Sequence, residues 1–123
     1  MEKDSIKILI CDDSILARKS LTGILNTLGY TDITEVSNGQ AAVDKCAEIK
    51  PDVAFLDIIM PVKDGITATK EIKELSKDTK VIICSSVGTQ THLREAIRSG
   101  AKDFIQKPVE LDMVKQILEH VIG

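Results

Sequence analysis

The chain has 123 residues, enough for one domain with a real core and no more. Apolar residues make up 43% and charged residues 28%, a balance that excludes a disordered chain. A net charge of −3, one Tyr, two Phe, no Trp and no arginine-rich stripe argue against direct nucleic-acid binding.

The N-terminus, Met1-Glu2-Lys3-Asp4-Ser5, is polar and leads into a short apolar run. That run suits neither a signal peptide nor a membrane span, so a cytoplasmic protein with no membrane insertion is expected. Cys11, Cys46 and Cys84 are odd in number and lack metal or redox spacing. They read as small buried hydrophobes in a reducing compartment.

In chain order, Ile6–Cys11 reads as a first strand, followed by Asp12 and Asp13. Ile15, Leu21, Ile24, Leu25 and Leu28 recur at helical spacing up to Gly29. Ile33–Val36 is a second, mixed strand, and Ala42, Val43, Cys46 and Ala47 mark a helix closed by Pro51. Val53–Leu56 is a third strand, followed by Asp57; Ile66, Ala68, Ile72 and Leu75 mark the next helix. Val81–Cys84 is a fourth strand, with Ser85 and Ser86 after it; Leu93, Ala96 and Ile97 mark a helix closed by Gly100. Asp103–Gln106 is the fifth strand, followed by Lys107; Leu111, Val114, Ile117, Leu118 and Val121 mark the last helix.

Strands alternating with helices predict right-handed βαβ units and one domain over residues 1–123, with helices on both faces of a parallel sheet. Runs one, three and four are nearly all apolar, as strands buried on both faces should be. Runs two and five suit the edges. The expected class is α/β, a doubly wound flavodoxin-like (βα)5 fold in strand order 2-1-3-4-5.

Ligands of such sheets bind outside the carboxyl ends of the strands. There the order brings together Asp12, Asp13, Asp57, Ser85 and Lys107. Three carboxylates side by side require a raised pKa or a bound cation. Oxygen donors without His or Cys favour Mg²⁺ over Zn²⁺. Three carboxylates, one divalent ion and one lysine sum to zero charge, which suits an incoming phosphoryl group. A carboxylate can take that group as nucleophile. Singly, each residue has a plainer reading: Asp13 or Ser14 as a helix cap, Asp57 as a turn residue, Lys107 as a solvated cation, Ser85 as a hydroxyl bonded to backbone. Their joint placement at the ends of several strands favours the site.

Leu9-Ile10-Cys11-Asp12-Asp13-Ser14, Leu56-Asp57-Ile58-Ile59-Met60-Pro61, Asp64-Gly65 and Lys107-Pro108 resemble the signature of response-regulator receiver domains, over essentially the whole chain. The resemblance implies that Asp57 accepts a phosphoryl group from a histidine kinase. It implies that Asp12, Asp13, Asp57 and the backbone carbonyl of Ile59 hold Mg²⁺. Ser85 would be the switch hydroxyl and Lys107 the phosphoryl-pairing cation, with a cis Lys107-Pro108 bond. Phe104 would swing between exposed and buried positions. Leu93, Phe104 and Gln106 would belong to the partner surface formed by the fourth helix, fifth strand and fifth helix. The chain departs from the usual pattern at Val109, in place of an aromatic, and at Phe104, which lacks a hydroxyl. Ile59 and Val87 are apolar where some fast-turnover members are polar. His92 and His120 read as surface residues.

Cys84-Ser85-Ser86-Val87-Gly88-Thr89-Gln90 and Gly100-Ala101-Lys102-Asp103-Phe104 look like the chemotaxis branch of the family. The expected downstream target is the flagellar switch or, for a phosphorelay shuttle, a phosphotransfer protein, and the expected state is a monomer. A fragment of a larger regulator is the other reading within the family. An aspartate-nucleophile phosphatase would want a DxD motif after the first strand. A flavin binder would want a glycine- and hydroxyl-rich loop there. A phosphate-independent docking module would not need the acidic site.

Overall fold

The computed structural model describes residues 2–86 and 90–122, without the side chain of Gln90. The predicted alternation is present. Strands β1 (Ile8–Cys11), β2 (Ile33–Val36), β3 (Val53–Asp57), β4 (Lys80–Ser85) and β5 (Asp103–Gln106) alternate with helices α1 (Ile15–Thr27), α2 (Gly39–Ile49), α3 (Gly65–Leu75), α4 (Gln90–Arg98) and α5 (Leu111–Ile122). The sheet is parallel in order β2-β1-β3-β4-β5, so the mixed strands form the edges as expected.

The side-chain period of two assigns successive residues to opposite faces. Leu9, Leu56 and Ile83 pack under Val43 and Cys46 of α2, Ile72 of α3 and Ala96 of α4. Ile8, Ile10, Phe55 and Ile82 pack under Leu21 and Leu25 of α1 and Val114 and Leu118 of α5. The core is therefore aliphatic, with Phe55 its one fully buried aromatic.

Helix starts are fixed by side chains. Ser14 Oγ accepts from the Ala17 N–H, Asn38 Oδ1 from Ala41, and Asp64 Oδ1 from Thr67. Of the two candidate caps for α1, Ser14 fills the position and Asp13 is left free for the site.

Several boundaries differ from the sequence reading. β1 begins at Ile8, although Ile6 is buried, and a 3-10 turn spans Lys3–Ser5. Asp57 and Ser85 are the last residues of β3 and β4 and do not lie beyond them. Ile15, Leu75 and Ile97, placed in apolar stripes, are 62%, 49% and 48% exposed. Ile15 and Leu75 are the first and last residues of their helices, where the turn is no longer covered by the sheet. His92 is half-buried in α4, whereas His120 is exposed as expected. Among the described residues no helix is long and apolar enough to cross a membrane.

Two glycines mark close approaches beside the carboxyl edge. A Cβ on Gly65 would stand 2.0 Å from the Asp57 carbonyl oxygen, and one on Gly39 would stand 1.9 Å from that of Lys63. Gly23, in mid-α1, has open space around its Cα. Gly65→Ala should therefore destabilise the domain by about 2 kcal/mol or more through backbone displacement. Gly23→Ala should stabilise it by roughly 0.5–1 kcal/mol through helix propensity. Urea unfolding monitored by circular dichroism checks both signs.

Candidate phosphoacceptor site

The first acidic residue is held at every polar atom. The Asp12 N–H donates to Val36 O (3.2 Å), and its carbonyl accepts from Arg18 Nη1 (2.7 Å). Its Oδ1 accepts from the Ser14 N–H (2.9 Å) and its Oδ2 from Lys107 Nζ (2.5 Å). Asp12 is buried and Asp13 exposed.

Asp57 ends the central strand, with its side chain 13% exposed. Oδ1 accepts from the Ile59 N–H (3.3 Å) and Oδ2 from Lys107 Nζ (2.8 Å). One ammonium thus bridges carboxylates that lie 45 residues apart in sequence. Lys107 is itself anchored by its N–H, which donates to Ser85 O (2.9 Å), and the Lys107-Pro108 peptide is cis as expected.

Asp12, Asp13 and Asp57 each offer a carboxylate oxygen within 4.8 Å of the others. Against these three negative charges Lys107 supplies one positive charge. The remainder, on an all-oxygen donor set, fits a hard divalent cation. The site adjoins a cavity of about 480 Å³ whose apolar wall includes Leu16, Leu21, Phe55 and Val109.

The loop between β3 and α3 closes over this edge. Its ends are tied by the Gly65 N–H donating to Ile58 O (2.8 Å), and a tight turn within it by the Lys63 N–H donating to Pro61 O (2.8 Å). Lys63 pairs with Glu71. Met60 is buried, with its Sδ accepting from Cys11 Sγ (3.0 Å), while Ile59 and Val62 are 64% and 79% exposed. Ile59 therefore stands beside the carboxylates with its side chain in solvent.

The remaining predicted residues lie next to this edge. Ser85 is buried at the end of β4; Asp57 pairs in register with Cys84, and Ser85 with Gln106. Phe104 is half-buried against the helix α2–α4 core, Leu93 is 38% exposed and Gln106 is exposed. Val87 lies outside the described residues. Sequence reasoning missed Arg18 and Glu35, which join α1 to β2 behind Asp12. A lone arginine on a helix and a lone glutamate on a strand carry no signal of that pairing.

Burial acts to lower the Lys107 pKa, but its bonds to Asp12 and Asp57 outweigh this and raise it. Burial pushes the thiols of Cys11, Cys46 and Cys84 from 9.0 up to about 12, helped at Cys11 and Cys84 by the site carboxylates.

A profile of the response regulator receiver domain matches residues 8–119. The chain is 43% identical to the chemotaxis protein CheY of Thermotoga maritima over 115 residues, covering 94% of this chain and 96% of that one. It is 41% identical to CheY of Bacillus subtilis over 117 residues, covering 95% and 98%. A chain in the crystal structure of the CheX-CheY-BeF3-Mg+2 complex from Borrelia burgdorferi superposes with a TM-score of 0.90 at 35% identity, over 96% of this chain and 90% of that one. The protein belongs to the response regulator receiver family. Within two-component signalling it is closely related to the CheY chemotaxis proteins, and it is a signalling protein and not an enzyme of the ordinary kind.

The raised pKa values of Lys107 and the three cysteines act in one direction on stability. A group whose pKa is higher folded than unfolded stabilises fully below the unfolded value and loses that contribution as pH rises toward the folded one. The thiol contribution should therefore decline from about pH 9.0 toward pH 12, with that of Lys107 lost only at higher pH than its ordinary 10.5. Thermal melts between pH 7 and pH 11 should show a falling alkaline limb, and iodoacetamide at pH 8 should label the cysteines only after unfolding.

Proposed function

We propose that Asp57 accepts a phosphoryl group from a phosphohistidine of a kinase, with Mg²⁺ bound at the acidic cluster, and that this shifts a partner-binding surface on α4, β5 and α5. The observation that carries this reading is the single Lys107 ammonium bridging Asp12 and Asp57, with Asp13 within reach of both. A chain made only for docking has no need of such a juxtaposition.

In the transfer, an Asp57 carboxylate oxygen forms a bond to phosphorus as the P–N bond of the phosphohistidine breaks. The electron pair stays on the imidazole. Asp12, Asp13, Asp57 and the carbonyl of Ile59 would hold Mg²⁺, which would supply charge neutralisation at the phosphoryl oxygens. Lys107 is positioned to pair with the same oxygens. Asp12, fully hydrogen-bonded, holds its carboxylate in one orientation.

The phosphoryl group adds about two negative charges and new acceptor oxygens at pH 7. Ser85, buried one residue beyond the register partner of Asp57, is placed to donate a hydrogen bond to it. Inward movement of Ser85 makes room for Phe104 on β5, which changes the surface around Leu93, Phe104 and Gln106. A ligand shifts such an equilibrium only by its differential affinity for the two states. The downstream target is a protein of the motility apparatus or a phosphotransfer protein, and the domain acts as a cytoplasmic monomer. The relative crystallised with CheX, BeF3 and Mg supports the metal and the protein partner.

Incubation with acetyl phosphate and Mg²⁺, followed by mass spectrometry, should add one phosphoryl group to the wild type and none to Asp57→Ala. An adduct of equal yield in the variant overturns the assignment of the acceptor.

For the switch, NMR spectra with and without BeF₃⁻ should differ around Asp57 and out to α4 and β5. In Ser85→Ala the local changes should persist and the distant ones shrink. Undiminished transmission in that variant places the relay elsewhere.

A further inference from the structure

Arg18 lies in the first turns of α1 with its side chain 15% exposed, and nothing in the proposed transfer uses it. Its Nη1 donates to the Asp12 carbonyl at 2.7 Å, and its Nε donates to Glu35 Oε1 on β2 at 3.2 Å. Glu35 is 20% exposed and also accepts from Lys19 Nζ (3.0 Å) and Thr22 Oγ1 (3.3 Å), both on α1. Burial would raise the Glu35 carboxyl, but these donors outweigh it and hold it lower, so the pairing is with a carboxylate.

The Asp12 carbonyl belongs to the peptide unit that joins Asp12 to Asp13. That unit is planar, so fixing its carbonyl fixes the direction in which the Asp13 backbone leaves. The Asp12 N–H is bound to Val36 O on the same edge strand. Asp13 is exposed, and the packing that orders Asp12 does not reach it. Its placement depends on the peptide behind it.

We infer that Arg18, clamped by Glu35, is a positioning residue for the cation site: it locks the Asp12-Asp13 peptide so that the Asp13 carboxylate is presented in register with Asp57. This rests on the reading of the acidic cluster as a Mg²⁺ site. It also has a sign opposite to that of simple electrostatics. Arg18 is a cation near a cation site, so acting through charge alone it would weaken Mg²⁺ binding, and its removal would tighten it. Acting through geometry it strengthens binding, because Mg²⁺ demands near-octahedral placement of its oxygens.

The test is isothermal titration of the phosphate-free protein with MgCl₂, with urea unfolding of each variant alongside. Arg18→Met should weaken Mg²⁺ binding by roughly tenfold, as loss of an outer partner of a metal site typically does. Arg18→Lys, which keeps one donor and the charge, should recover part of the affinity. Leu25→Val loosens the buried face of α1 far from Asp12, and should lower stability while leaving Mg²⁺ affinity at the wild-type value. Equal or tighter binding in Arg18→Met overturns the positioning role, as does an affinity loss in Leu25→Val matching that of Arg18→Met. Should Arg18→Met not fold, Glu35→Ala removes the acceptor that clamps the guanidinium and should weaken binding several-fold; unchanged affinity there overturns the inference equally. Failure of the wild type to bind Mg²⁺, or wild-type binding by Asp13→Ala, overturns the metal-site reading itself.

Discussion

Repulsion among three carboxylates at one sheet edge is the constraint around which this molecule is arranged. Two unit charges about 4 Å apart interact by roughly 4 kcal/mol at an effective dielectric of 20. Asp12, Asp13 and Asp57 approach within 4.8 Å. The ammonium of Lys107 opposes that repulsion, and it reaches the buried Asp12 and the half-buried Asp57 because β5 delivers it there, anchored by the Lys107 N–H bond to Ser85. Strands β1, β3 and β5 must therefore end at one level, and β4 must lie between the last two. The aliphatic core on both faces of the sheet sets that level.

The same arrangement connects the site to a surface. Ser85 is one residue past the register partner of Asp57 and is itself paired with Gln106. Phe104 packs against the core cluster that contains Ile83 and Ala96. Asp57 is thus joined to the end of β5 directly through Lys107, and to β4 through the strand register.

Much of this was legible from residue patterns, for physical reasons. Continuous apolar runs identified the central strands because strands buried on both faces leave no polar position, and the mixed runs at Ile33–Val36 and Asp103–Gln106 became edges. The topology then placed Asp12, Asp57, Ser85 and Lys107 together without any contact being known. Hydrophobicity does not locate the end of a strand when the backbone ladder continues under a polar residue, as at Asp57 and Ser85. Apolar spacing also overcounts at helix ends, where Ile15 and Leu75 have no sheet beneath them. The Arg18–Glu35 pairing was invisible because it depends on side-chain reach between a helix and an edge strand.

The loop from Ile58 to Gly65 is pinned by main-chain bonds and by the glycine contacts at its borders, with Met60 turned inward. Ile59 contributes little to holding it, since its side chain stands largely in water, whereas Val62 is exposed but turns the chain at a positive φ of 71° that β-branched residues rarely adopt. Surface substitutions such as those at Ile59 usually change stability by no more than about 0.5 kcal/mol. The loop is in that sense an exchangeable panel. New side chains can be mounted at Ile59, beside Asp57, on a backbone held by its own bonds, so the surroundings of that carboxylate can be altered over evolutionary time without disturbing the fold.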